Sequence, residues 1–397
     1  MKSLWKTLVS VVLCAAVCLC AAAPLSGCAS KGVSPQGSTP AADSAETVEP
    51  AKPQPLPDCS PLTGAARDTT AALPRPVAVM IDNARAALPQ SGLAAADVVY
   101  EMVTEGGIPR LMAVFSSTAA LGKVGPVRST RDQFVQLLAP ENLQLLHIGS
   151  SIYAADMLRS LEYGTVDGIY LGTVAFAFDE ARAQTRDNSH CFYTSAALAD
   201  AGIAHEELST TVEVEPLFCF VPYNQPARVP DAFSAGKVTF AFSQTADVAF
   251  QYNAETARYS KSEYGDPSMD EAAGTQLSYT NLLVLGCTVS LKSDGLCTDF
   301  DFSQGDGYYF SQGGGQPVHW KKGGVTDRLL VYDDAGNELT VNVGSSYIAF
   351  VDTRALRKTL CLDNVPVSDR NAANGNAAEE TFLPADSADA SQAASGN

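Results

Sequence analysis

The chain has few of the residues that metal and nucleotide chemistry use. Its four histidines, His147, His190, His205 and His319, stand far apart with no HxxxH or HExxH spacing. That argues against a metal centre, since such centres need ligands at helical or turn spacing. No GxSxG elbow, Walker loop or Rossmann glycine set occurs, so spacing alone assembles neither a nucleophilic triad nor a cofactor cradle, and no cofactor is expected. Positive charge is also scarce: 26 Lys and Arg face 44 Asp and Glu, for a formal charge of −18. Bulk attraction to nucleic acid is thereby excluded, and anionic lipid or polymer is repelled at long range. Any anion site must be a local arginine cluster working against the field of the whole protein. No apolar run reaches the roughly 20 residues that a membrane-spanning helix needs, and no internal repeat is visible.

The first residues are informative about location. Lys2 and Lys6 precede an apolar run from Leu8 to Ala23, followed by Leu25-Ser26-Gly27-Cys28. This is the pattern of a secretory signal, and its last four residues resemble a bacterial lipoprotein box. The expectation is a leader over 1–27, lipid on Cys28 and an extracytoplasmic protein anchored to the cell membrane. Acylation by more than one chain anchors stably, whereas a single chain is marginal. Residues 28–72 are rich in Ala, Ser, Pro and Thr and read as a flexible tether; residues 367–397 read as a disordered tail. Past Cys28, six cysteines remain: Cys59, Cys191, Cys219, Cys287, Cys297 and Cys361. Cys287 with Cys297 is the one candidate bridge; six unpaired thiols is the alternative.

Between the tails lies enough chain for two domains. Pro76 to Asp82 reads as a buried strand. Asp97–Val103 and Arg110–Ser116, joined by Glu105-Gly106-Gly107, form an expected hairpin. A helix to about Leu138, a strand over Leu143–Ile148, a helix to about Leu161, a strand over Asp167–Leu171 and a helix over Thr194–Ala201 follow. Strands alternating with helices predict an α/β layer over 73–228. After about Gly236 the period becomes two, with Val238, Phe240 and Phe242, then Val248, Phe250 and Tyr252. That predicts a mainly antiparallel β domain over 229–366. The fold class is therefore α+β, two-domain, an N-terminal α/β layered domain followed by a β-rich one.

The segment Gly122–Leu138 carries the clearest chemical signal. Ser129-Thr130-Arg131-Asp132 matches a capping box, with Ser129 as the cap and Asp132 reaching back. The arginines are then misplaced, because Arg128 and Arg131 would face the positive end of the helix dipole. Three readings stay open: pairing with Asp97, Glu101 or Glu105, solvation, or a grip on an anionic ligand at the helix start. A second strand-to-helix junction, His147-Ile148-Gly149-Ser150-Ser151, would bring His147 and Ser150 to the same sheet edge. His147 is equally a candidate core histidine. His190, in Asp187–Ser195, could carry a proton near neutrality or be an ordinary loop residue.

Taken in order, "RPVAVMIDN", "PQSGLAAADVVYE", "EGGIPRLMAVF", "KVGPVRSTRDQF", "HIGSS" and "SHCFYTS" resemble the YerB-like bacterial lipoproteins. So do "YSKSEYGDPSMDEAAGTQL", "HWKKG" and "YDDAGNELTVNVGSSYIAFV" in the second half. The resemblance implies an extracytoplasmic lipoprotein with two paired domains and no established activity. Asp82, Glu101, Glu105, Arg110, Arg128, Ser129, Arg131, Asp132, His190, Tyr193 and Asp270 fall on its motif positions. With His147 and Ser150, all of these but Glu105 and Asp270 form the candidate ligand-binding set: Asp82, Glu101, Arg110, Arg128, Ser129, Arg131, Asp132, His147, Ser150, His190 and Tyr193. The chain departs from the family where Ser189-His190-Cys191 replaces a Pro-His-Asn run. A looser likeness, to the LytR-CpsA-Psr cell-wall phosphotransferases, rests on Asp82–Arg85 and Arg128–Asp132. Two functions follow as expectations: a binder of an anionic envelope component, or an enzyme acting on envelope phosphate or glycan.

Overall fold

Strand Val77–Asp82 is buried at all six positions because its two faces serve two different cores. A computed structural model of the chain describes residues 56–70 and 72–368; the leader, Cys28 and all but the first two residues of the tail lie outside the described residues. Val77, Val79 and Ile81 join one apolar cluster, Ala78 and Met80 the other. A strand covered on both sides has no polar face to alternate, so its sequence reads as a continuous apolar run.

The fold is α+β and two-domain, and one large sheet runs through both halves. Its order begins Leu330–Tyr332, Gly314–Lys321, Gln304–Ser311, Asn281–Leu291, Ser346–Asp352. It continues Val98–Val103, Pro109–Phe115, Val77–Asp82, Gln144–His147, Val166–Asp167. Ser346–Asp352 is the seam, parallel to Val98–Val103 on one side and to Asn281–Leu291 on the other. The expected hairpin is present, with Val98 opposite Val114 and Val103 opposite Pro109. A second sheet, built on Lys237–Ser243, Ala246–Asn253 and Arg258–Glu263, shows the expected alternation of buried and half-buried residues. It closes over one face of the large sheet through Phe240, Phe250 and Tyr347. The helix Asp132–Leu138 covers the other face through Phe134, Leu137 and Leu138.

Some expectations need revision. Asp167–Leu171 is not a strand: after Val166–Asp167 the chain turns into a short helix, Gly168–Leu171, because Asp167 Oδ1 accepts from Ile169 N at 3.0 Å and caps it. Packing begins before residue 73, inside the stretch read as tether. Leu62 and Cys59 are buried there, and Gly64, at φ +70°, seats the chain against Phe220. Cys287 and Cys297 are not bridged; both are free thiols, and Cys287 Sγ donates to Asp301 O at 3.0 Å. Among the described residues, no helix is long and apolar enough to cross a membrane.

Candidate functional site

The two strand-to-helix junctions do lie side by side. Val77–Asp82 and Gln144–His147 are parallel neighbours, and the segment leading into the helix Asp132–Leu138, which bridges to Val77–Asp82 at Val127 and Ile81, is laced to the loop after Gln144–His147. Ile148 N donates to Arg128 O, Thr130 N to Gly149 O and Ser151 N to Thr130 O, at 3.1, 3.0 and 3.2 Å. Gly149 sits at φ +76°, a conformation glycine adopts without strain.

Over this edge, charged side chains gather. Asp82 ends its strand, and its Oδ2 accepts from His190 Nδ1 at 2.7 Å and lies 3.2 Å from Arg128 Nε. Arg128 also donates to Ser189 O at 3.2 Å, and about a third of its side chain is exposed. Arg131 forks onto Glu105, Nε to Oε1 at 2.6 Å and Nη2 to Oε2 at 2.9 Å. Burial works against the Glu105 charge, but Arg131 wins and holds its carboxyl below the ordinary range. Arg110 stands opposite Asp82 in the strand register and donates through Nη1 to Ser129 O at 2.8 Å and to Ser129 Oγ at 3.4 Å. Among the described residues it makes no ion pair. Burial, then Arg131, pulls its guanidinium down to about 10.

The capping box is not formed. The helix starts two residues later than that reading requires, with Arg131 at the cap position and no side-chain cap bond. Ser129 Oγ accepts instead from Arg131 Nη1 at 2.9 Å and from Arg110. Asp132 turns to the other side and meets Lys292 Nζ at 2.9 Å. Charge-assisted bonds from two guanidiniums outcompete a neutral cap of about 1 kcal/mol.

Asp82, Arg110, Arg128, Ser129, Arg131 and His190 are thus brought together, joined by Glu105. The rest of the candidate set is elsewhere. His147 is buried and satisfied, Nδ1 on Gly149 O at 2.7 Å and Nε2 on Thr165 Oγ1 at 3.0 Å, and burial lowers its pKa. The carbonyl can only accept, so Nδ1 carries the proton. Ser150 is exposed beside the junction. Tyr193 is buried under Lys123, 4.2 Å from the ring centroid. Glu101 belongs to a different buried cluster, accepting from Lys261 Nζ at 3.0 Å, Tyr347 OH at 2.7 Å and Asn83 Nδ2 at 2.9 Å. Lys261 also meets Glu263 at 2.8 Å. Sequence reasoning missed this cluster; its one trace was a glutamate inside the apolar run Val98–Val103. Among the described residues no group of His, Cys, Asp and Glu could hold a metal.

The chain is similar to known proteins over most of its length. Residues 62–209 match the family described as protein of unknown function (DUF3048), N-terminal domain, and residues 238–348 match the corresponding C-terminal domain. The YerB protein of Bacillus subtilis (strain 168), which carries the name of a lipoprotein, is 28% identical over 297 residues. That alignment covers 74% of this chain and 86% of YerB. The crystal structure of Bacillus subtilis YerB superposes with a TM-score of 0.65 at 26% identity, over 75% of this chain and 98% of that one.

Proposed function

We propose, for a chain that belongs to the DUF3048 family of YerB-like proteins, a membrane-anchored role in binding an anionic envelope ligand. Lipid on Cys28 would hold the chain to the extracytoplasmic face of the membrane, the placement that its lipoprotein-like leader favours. The ligand would meet guanidinium side chains, not the free N–H groups of the helix start. Arg110 and Arg128 offer the open donors, since Arg131 is held by Glu105.

The observation that carries this reading is Arg110. Three guanidiniums share the cluster with two carboxylates, Asp82 and Glu105, and the most buried of the three has no acidic partner among the described residues. A buried charge is ordinarily paired. An incoming phosphate or carboxylate would supply the missing negative charge and accept two bonds from one guanidinium. A second reading, an enzyme acting on envelope phosphate or glycan, draws on Asp82 and His190. A carboxylate fixing one ring nitrogen leaves the other to move a proton beside Arg128.

Thermal melts of the detergent-solubilised protein with inorganic phosphate, pyrophosphate and citrate test both. An anion at about 100 times its Kd stabilises the folded state by about 2.7 kcal/mol. Arg110→Met should abolish that gain while raising the melting point without ligand, because it removes an unpaired buried charge. Product released from pyrophosphate, lost in His190→Asn with the thermal gain kept, would favour the enzyme. Arg110→Met that lowers basal stability, with no anion shifting the wild type, ends the reading.

A further inference from the structure

A cleft of about 280 Å³ opens between the two halves, lined by none of the arginine-cluster residues. Arg85 and Pro89 line it from the N-terminal half, and Glu263, Tyr264, Pro267 and Ser268 from the C-terminal half. Two of these residues are oddly placed for a purely structural wall. Glu263 and Ser268 are each only 3% exposed. Yet Glu263 Oε1 and Ser268 Oγ have no hydrogen-bond partner among the described residues, although Glu263 Oε2 is taken by Lys261 at 2.8 Å. Buried polar oxygens are nearly always partnered, so the pair asks for hydroxyl or N–H donors from outside the chain.

The apolar wall is held in place by force. Tyr264 and Gly265 form a two-residue turn with φ +53° and +83°. Both central positions of such a turn are left-handed, which suits Asn-Gly and disfavours a bulky residue. Tyr264 is kept there by its hydroxyl, which donates to Asn83 O at 2.9 Å across the seam. The ring consequently stands beside Pro89 and Pro267 as a flat apolar surface.

Charge distinguishes the kinds of occupant. Arg85 and the exposed Asp266 share the rim with opposite charges, and Lys261 lies against Glu263 as well as Glu101, so no cluster of cations lines the cleft. A site for an ion would keep an excess of one sign, as the arginine cluster does. We infer that this cleft binds a neutral polyhydroxylated ligand, one ring of a saccharide. Its hydroxyls donate to Glu263 and Ser268, and its carbon face packs on Tyr264. The volume, just under the range of drug-sized pockets, suits a single ring with its neighbours in solvent. This site does not depend on the anion reading.

Saturation-transfer NMR and calorimetry on the solubilised full chain test it, with tri-N-acetylchitotriose, maltotriose and glucosamine as probes. The expected result is saturable binding of a neutral sugar, weakened at least tenfold by Tyr264→Asn and severalfold by Ser268→Ala, with the response to phosphate unchanged. Asparagine fits the left-handed turn, so Tyr264→Asn should remain folded; if it does not, Ser268→Ala decides. No saturable binding of either neutral sugar overturns the inference. So does neutral-sugar binding indifferent to the folded variants, or binding of glucosamine alone, which would mark a cation site.

Discussion

Replacing Lys261 with methionine removes the cation from a triad that ties the two sheets together. Its ammonium lies 3.0 Å from Glu101 Oε2 and 2.8 Å from Glu263 Oε2, and none of the three side chains is more than 2% exposed. Burial opposes the lysine charge, but Glu101 and then Glu263 outweigh it and keep the group protonated. Without the lysine, two buried carboxyls face each other. Removing one partner of a buried pair costs about 3–5 kcal/mol, or roughly 6–10 °C of melting temperature at about 2 °C per kcal/mol for a fold of this size. The pH dependence follows from where the carboxyls titrate. Burial raises Glu101 above its ordinary 4.5, Lys261 pulls it back and Glu263 pushes it up again. In Lys261→Met the pull is gone, so the folded state holds protons that the unfolded state releases near the ordinary value. Stability of the variant therefore falls as pH rises through that window. Urea melts at about pH 4.5 and about pH 7.5 should show a small deficit at the lower value and the full one at the higher. The triple variant Glu101→Gln, Lys261→Met, Glu263→Gln should recover most of it. A deficit below about 1 kcal/mol at neutral pH, the scale of an exposed pair, would refute the reasoning, and so would one that does not change with pH.

His147 gives the opposite slope. Burial lowers its pKa from an ordinary 6.5, so the unfolded chain protonates first and stability drops as pH falls below that value. The slope is at most about 1.4 kcal/mol per pH unit, and His147→Gln should flatten it; an unchanged slope would assign it to other groups. Gly314→Ala tests the close approach of two chain segments, because an added Cβ collides with the Pro230 carbonyl. A loss of about 1–3 kcal/mol is expected from overpacking, read as a lower urea midpoint, and a neutral variant would show that the Pro230 segment yields freely.

The elements that were legible in the sequence are those set by local pattern. The run Val77–Asp82 and the hairpin Val98–Val103 with Pro109–Phe115 declared themselves through burial period and a Gly-Gly turn. The family itself was legible because many short motifs occur in order, and the comparisons bear it out. Partnership over long separation was not legible. Nothing near Glu101 says that Tyr347, 246 residues on, will hold its carboxylate, or that Ser346–Asp352 will be the neighbouring strand. The site shows the same division. That arginines stood where a helix dipole disfavours them was a sequence observation, and it pointed to an unusual electrostatic arrangement. Which acids answered them was settled by topology. Glu105, just past the end of Val98–Val103, took Arg131, while Asp82, from a different strand, was shared by Arg128 and His190. Ser129 was misread for a related reason. A cap is judged against water, but here the competitors were two guanidiniums delivered by the adjacent strand and the helix start. Local rules fail where charges converge from distant segments, because the energy of a charge-assisted bond exceeds the local preference it displaces. The same logic singles out Arg110: its neighbours answered every other guanidinium in the cluster with a carboxylate and left that one to Ser129.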